Sequence, residues 1–183
     1  MPTATDRDFL DMQVSDVRRM VNSGRDCHVV MLQEVDGDRR LPIWIGSEAA
    51  MTIAFHLLGY GSQLARPHTS ALAVHLVQAL GGSLREVRID RLVETTFYAV
   101  VVVDGPQGSI EVDARPSDAL MLALVAGAPV RADRAVVETT ESSNEVAEAF
   151  AALGNQRAAG AQALLDELAQ EAERQDPPEP TSS

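Results

Sequence analysis

The chain has 183 residues, 45% of them hydrophobic, which suffices for one domain with a proper core but is short for two. Its formal net charge of −12 argues against a protein that coats nucleic acid non-specifically, because that affinity rests on neutralising phosphates. A lone cysteine, Cys27, excludes an internal disulfide and a cysteine-based zinc cluster, and since all 15 basic residues are arginines, Schiff-base lysine chemistry is excluded as well.

The start, Met1-Pro2-Thr3-Ala4-Thr5-Asp6-Arg7-Asp8, is polar and acidic, without the features of a secretory signal, and no run of about 18 apolar residues follows. A bacterial-type cytoplasmic protein with no membrane partner is expected. Met12 to Val17 is short and mixed. Cys27 to Val35 reads as a buried strand, Asp36-Gly37-Asp38 as a turn, and Arg40 to Ile45 as the second strand of a hairpin, with Pro42 suited to an edge. Ser47 to Tyr60 has helix character with Ser47 as N-cap, and a second helix runs from about Ser70 to Leu80 with Thr69 as cap.

Leu84 to Leu92 alternates with Val87 and Ile89 on one face, and Thr96 to Val103 is strongly strand-forming and expected to be central. Ser109 to Asp113 is a further strand, paired across the turn Asp104 to Gly108. Pro116 opens a third helix to about Ala126, with Ser117 and Asp118 expected to satisfy its first N–H groups and Gly127 to end it. Ala128 to Arg131 is a last short strand. Residues 135–183 then carry ten acids against two arginines, with a helical stretch from about Asn144 to Arg174 interrupted at Gly154 and Gly160. The pattern reads as an α/β (mixed α+β) fold with a mainly antiparallel or mixed sheet and about three helices. Residues 1–134 form its domain, and residues 135–183 an appended acidic helical tail, disordered in part.

Chemistry is expected where strands run into helix starts, at Gly46-Ser47-Glu48 and at Asp113-Ala114-Arg115-Pro116-Ser117-Asp118, because N–H groups and the macrodipole there favour an anion. Arg66 precedes a third such start. Phosphodiester chemistry needs carboxylates to activate water or hold a cation, which Glu48, Asp113 and Asp118 supply as catalytic candidates. It also needs donors for the phosphorus oxygens, and Arg66, His68, Arg115 and Ser117 are the substrate-binding candidates. A bland reading is equally open: Asp118 as a cap, and Arg115 beside Asp113 as a buried ion pair locking a loop. The histidines lack the three- or four-residue spacing of helical metal ligands, and Trp44 and Phe97-Tyr98, though able to stack bases, sit on strands apolar enough for core.

The ordered motifs Leu41-Pro42-Ile43-Trp44-Ile45-Gly46 with Glu48-Ala49, Arg66-Pro67, Thr96-Phe97-Tyr98-Ala99 and Asp113 to Ala119 resemble the bifunctional nuclease domain family. The resemblance covers about Met12 to Asp133. It implies an α/β fold, action on RNA and DNA, a homo-oligomer, a dimer first of all, and Glu48, Arg66, Asp113, Arg115 and Asp118 as the matching polar positions. Many members read Arg-Pro-Leu-Thr-His-Asp-Leu in the second motif, where this chain has Arg66-Pro67-His68-Thr69-Ser70-Ala71-Leu72 and so lacks the His and the Asp. The expected function is hydrolysis of RNA and DNA phosphodiesters, with Mg or Mn as the divalent cation such chemistry would use. The alternative is a non-catalytic oligomeric scaffold or regulator, or a nucleotide- or phosphate-binding module.

Overall fold

The computed structural model describes residues 8–22, 25–61, 66–142 and 159–175. Seven strands form one sheet: β1 (Phe9–Asn22), β2 (Arg25–Glu34), β3 (Arg40–Ile45), β4 (Ser83–Val93), β5 (Thr96–Gly105), β6 (Gly108–Ala114) and β7 (Val130–Asp133). Their order is β3-β2-β1-β7-β4-β5-β6, so two three-stranded meanders are joined through the short β7. β7 pairs antiparallel with β1 and parallel with β4, and every other neighbour is antiparallel. Thr96 to Val103 is therefore an internal strand but second from the edge, and the middle place belongs to β7. The β2–β3 hairpin forms as its turn residues require, and β3, carrying Pro42, is an edge.

Five helices occur among the described residues: α1 (Ser47–Leu57), α2 (Thr69–Ala79), α3 (Pro116–Ala126), α4 (Arg134–Glu141) and α5 (Ala159–Gln175). The expectation of about three helices with an appended helical tail is thus corrected. α4 buries Val136, Val137 and Thr140, and its Asp133 cap accepts a hydrogen bond from the Ala135 N–H at 2.9 Å. α5 buries Ala161 and Leu164 in the same core as the sheet, against β1 and α1. What that tail expectation said of residues 143–158, Gly154 included, and of residues 176–183 lies outside the described residues.

β1 explains a second correction. Leu10, Met12 and Val14 alternate inward, but a bulge inserts Ser15, after which Asp16 faces Met31 and Val17 faces Val30. The extra residue shifts the phase of the strand, so a 14-residue element carries an alternation that looks short and mixed. Ser15 is kept buried by donating its hydroxyl to the Met31 carbonyl at 3.1 Å.

The bulge also presents Asp16, 6% exposed, to the start of α5. Its carboxylate accepts from Arg18 Nε at 2.6 Å and from the N–H groups of Val17, Gly160 and Ala161 at 2.9, 3.3 and 3.1 Å. An anion so deep in the fold is tolerable because its oxygens are met by a cation and by the positive end of a helix. Gly160 is required here: a Cβ would lie 2.0 Å from Arg18 Cγ.

Candidate functional site

α1 and α3 lie side by side and run in the same direction. Their starts are together, since the charge of Glu48 in the first turn of α1 is felt at Arg115, the N-cap of α3. Their ends are together too, since His56 and Leu57 share a cavity wall with Ala123 and Leu124. Two positive helix ends therefore face one way. Gly46, not Ser47, is the N-cap of α1, and neither Gly46 nor Arg115 makes a side-chain capping hydrogen bond. Ser117 and Asp118 likewise leave the α3 N–H groups uncapped, contrary to expectation, because Asp118 is turned to Arg115.

Both N-caps line one cleft of about 820 Å³. Pro116 and Ser117 continue the wall from α3, Ile43 to Ile45 from β3, and Thr139 and Thr140 from α4. The remaining wall is the tip of the β4–β5 hairpin, Glu94 to Phe97. Glu94 has φ 55°, a left-handed conformation that a non-glycine residue adopts at a cost of about 1 kcal/mol or more and that recurs at functional sites. Trp44 is 37% exposed and lines the cleft with Phe97, whereas Tyr98 stacks under the Arg91 guanidinium 4.8 Å from its ring centre. A phosphate with an attached base would find helix N–H donors, Arg115, hydroxyls and an aromatic face here.

Arg115 donates to Asp118 from Nε at 2.7 Å and from Nη2 at 3.0 Å. That hydrogen bond first, then the charges of Asp118 and Glu48, raise its pKa above the ordinary arginine value. The guanidinium is nonetheless exposed, its side chain 80% accessible, so it is held in direction but open to a ligand.

The expected site residues fall into three groups. Glu48, Arg115, Ser117 and Asp118 gather at the starts of α1 and α3. Asp113 is separated from them: β6 pairs Asp113 with Val100, and with Ala114 packing on the core, Asp113 is exposed on the other sheet face. Arg66 and His68 lie elsewhere again, in a cavity of about 320 Å³ with His56, His75 and Val125. Val125 is near the end of α3, whose 11 residues span about 16 Å, so this cavity is almost a helix length from Arg115. The cap of α2 is His68, with Thr69 its first helical residue. Glu94, Thr95, Thr139 and Thr140 were missed as site residues. No motif marks them, although the two-residue connection between Val93 and Thr96 signals a tight turn with constrained backbone.

The donor set does not make a dedicated metal centre, since among the described residues no group of three or more His, Cys, Asp or Glu side chains is placed to hold a metal ion. No helix among the described residues is long and apolar enough to cross a membrane.

The family model described as the bifunctional nuclease domain matches residues 30–145, more than half of the chain. The chain belongs to the bifunctional nuclease domain family. Among similar proteins are the uncharacterized proteins MT1877 and Rv1829 of two Mycobacterium tuberculosis strains. Each is 47% identical over 109 residues, covering 60% of this chain and 63% of the relative. The match therefore spans somewhat under two thirds of those relatives.

Proposed function

We propose that this protein hydrolyses phosphodiester bonds of RNA and DNA, with the strand's phosphate bound in the cleft at the starts of α1 and α3. One observation carries this reading: two uncapped, parallel helix N-termini open into the same cleft beside Arg115. Helix N–H groups, the Ser117 hydroxyl and Arg115 would hold the phosphorus oxygens and stabilise the charge that builds there. Glu48 would accept the proton of the attacking water as its oxygen bonds to phosphorus and the P–O ester bond breaks, the leaving oxygen taking a proton from solvent, while Asp118 directs Arg115.

Incubating the purified protein with single-stranded RNA and DNA tests this directly. Arg115→Gln and Glu48→Gln should each lower cleavage about 100-fold, the order found when one transition-state donor is removed. Equal cleavage by wild type and both variants would sink the proposal. A second reading, an anion-binding module without catalysis, draws support from the Arg115–Asp118 pair, which occupies the cation in the free protein. It expects phosphate binding in this cleft lost in Arg115→Gln and no cleavage at all.

Self-association belongs to the same proposal. Leu72, Leu76 and Leu80 recur every four residues along α2 and are 49%, 55% and 80% exposed, and Ile110 and Val112 of the edge strand β6 are exposed as well. Exposed apolar stripes of this kind are what oligomer contacts bury. Sedimentation showing a monomer at all concentrations would remove the dimer from the proposal.

A further inference from the structure

Three of the four histidines of the chain meet in one small cavity. His56 comes from the last turn of α1, His68 from the cap of α2 and His75 from about two helical turns further along α2, and Arg66 completes the set. Every ionisable side chain lining the cavity is basic. That concentration is unusual in a chain of 27 acids and 15 arginines, and it has a simple cause: between Glu48 and Glu86 the sequence contains no aspartate or glutamate. None of Arg66, His68 and His75 has an ion-pair partner among the described residues.

Backbone donors point to the same place. The N-terminus of α2 carries no side-chain cap, and Ala71, within its first turn, lines the cavity. The opposing carbonyls at the end of α1 are already engaged: those of Ala54, Phe55 and His56 accept from the N–H groups of Leu58, Tyr60 and Gly59. Burial first, and then the charge of His68, disfavour protonation of His56, and an anion between the two rings would offset that repulsion.

We infer that this cavity is a binding site for a phosphoryl anion, held by Arg66, by the imidazoles of His56, His68 and His75, and by the free N–H groups at the start of α2. It is distinct from the cleft at Arg115 and does not depend on that cleft being catalytic. Its volume of about 320 Å³ is at the small end for ligand cavities, suited to a phosphate or a mononucleotide more than to a large cofactor.

The test uses the full chain near pH 6.5, where an ordinary imidazole is about half protonated. Imidazole resonances are followed by NMR during titration with inorganic phosphate, with a nucleoside 5′-monophosphate, and with short oligonucleotides with or without a 5′-phosphate. The signals of His56, His68 and His75 should move together, while His28 on β2 stays still as an internal control. Arg66→Gln should weaken the effect about tenfold and Arg115→Gln should leave it unchanged. Since Arg66 is exposed, its substitution leaves the core intact. Movement confined to phosphate and 5′-phosphorylated ligands identifies a terminal monoester. Equal movement with the unphosphorylated oligonucleotide identifies the backbone diester. No movement, movement of all four histidines alike, or a response insensitive to Arg66→Gln overturns the inference. Loss of nucleic-acid cleavage in Arg115→Gln with the histidine response intact would separate this site from the proposed cleft.

Discussion

The two ends of the α1–α3 pair are built from the same helices and differ in almost every other respect. At their starts the helices are uncapped, the acids Glu48 and Asp118 stand in the first turns, and Arg115 is held in a bidentate pair. At their ends the acids are gone, histidines gather, and a third helix enters with its own start turned inward. Helix direction and local composition therefore give one layer of the fold two chemically different anion environments. One is built on an arginine held by a carboxylate, the other on three imidazoles beside a second arginine.

The comparison breaks first if the two ends are not rigidly joined. Leu120 is fully buried midway along α3, and Leu120→Ala should cost about 3 kcal/mol through lost burial and the cavity left behind. Urea unfolding measures this, and anion binding at both ends should weaken together in the surviving folded protein. A double dissociation comes next. Arg115→Gln should weaken binding only in the large cleft, and Arg66→Gln only in the histidine cavity, by about tenfold each if one charge-assisted hydrogen bond is lost. Nucleotide titrations read by Trp44 fluorescence for the cleft and by histidine NMR for the cavity distinguish the two.

Acid sharpens the contrast further. Burial, and then the charge of His68, lower the pKa of His56 below 6.5. The unfolded chain then binds more protons than the folded one just beneath that pH, so this contribution to stability is complete above pH 6.5 and declines as the pH falls, levelling once folded His56 is also protonated. Urea midpoints from pH 8 down to 5 should show the decline, and His56→Gln should flatten it. Phosphate added at low pH should restore part of it. The smallest effect is expected at Asp113: exposed on the other sheet face, Asp113→Asn should change stability by no more than about 0.5 kcal/mol and leave binding at both ends unaltered. A loss of cleavage in that variant would draw the outer face of β6 into the site.

Much of this was readable in the sequence where the determinants are local. The β2–β3 turn, Pro116 opening α3 and Gly127 closing it in a left-handed conformation all follow from the backbone preferences of single residues. The family motifs likewise marked Glu48 and the Arg115 to Asp118 segment, which the fold does bring together. Features set by distant pairing were not readable. Ser15 is an ordinary serine until β2 shows it to be a bulge, and no spacing rule joins His56 to His75 across an intervening loop. Asp118 misled for a different reason: a first-turn aspartate has two partners within reach, the helix N–H groups and the arginine at the cap, and the stronger charge-assisted pair wins.

Asp16 meets the amides that fix it 144 and 145 residues later in the chain. The neighbouring part of β1 pairs with β7, Phe9 opposite Asp133. During synthesis β1 therefore has its hairpin partner early but must wait until β7 and then Gly160 and Ala161 have been added before its other edge and its buried carboxylate are satisfied. Closing loops of that size is slow, and the incomplete chain exposes an unpaired strand edge meanwhile. The sheet edge of β1 and its buried carboxylate are thus completed by distant segments, with the start of α5 closing over Asp16 like a latch.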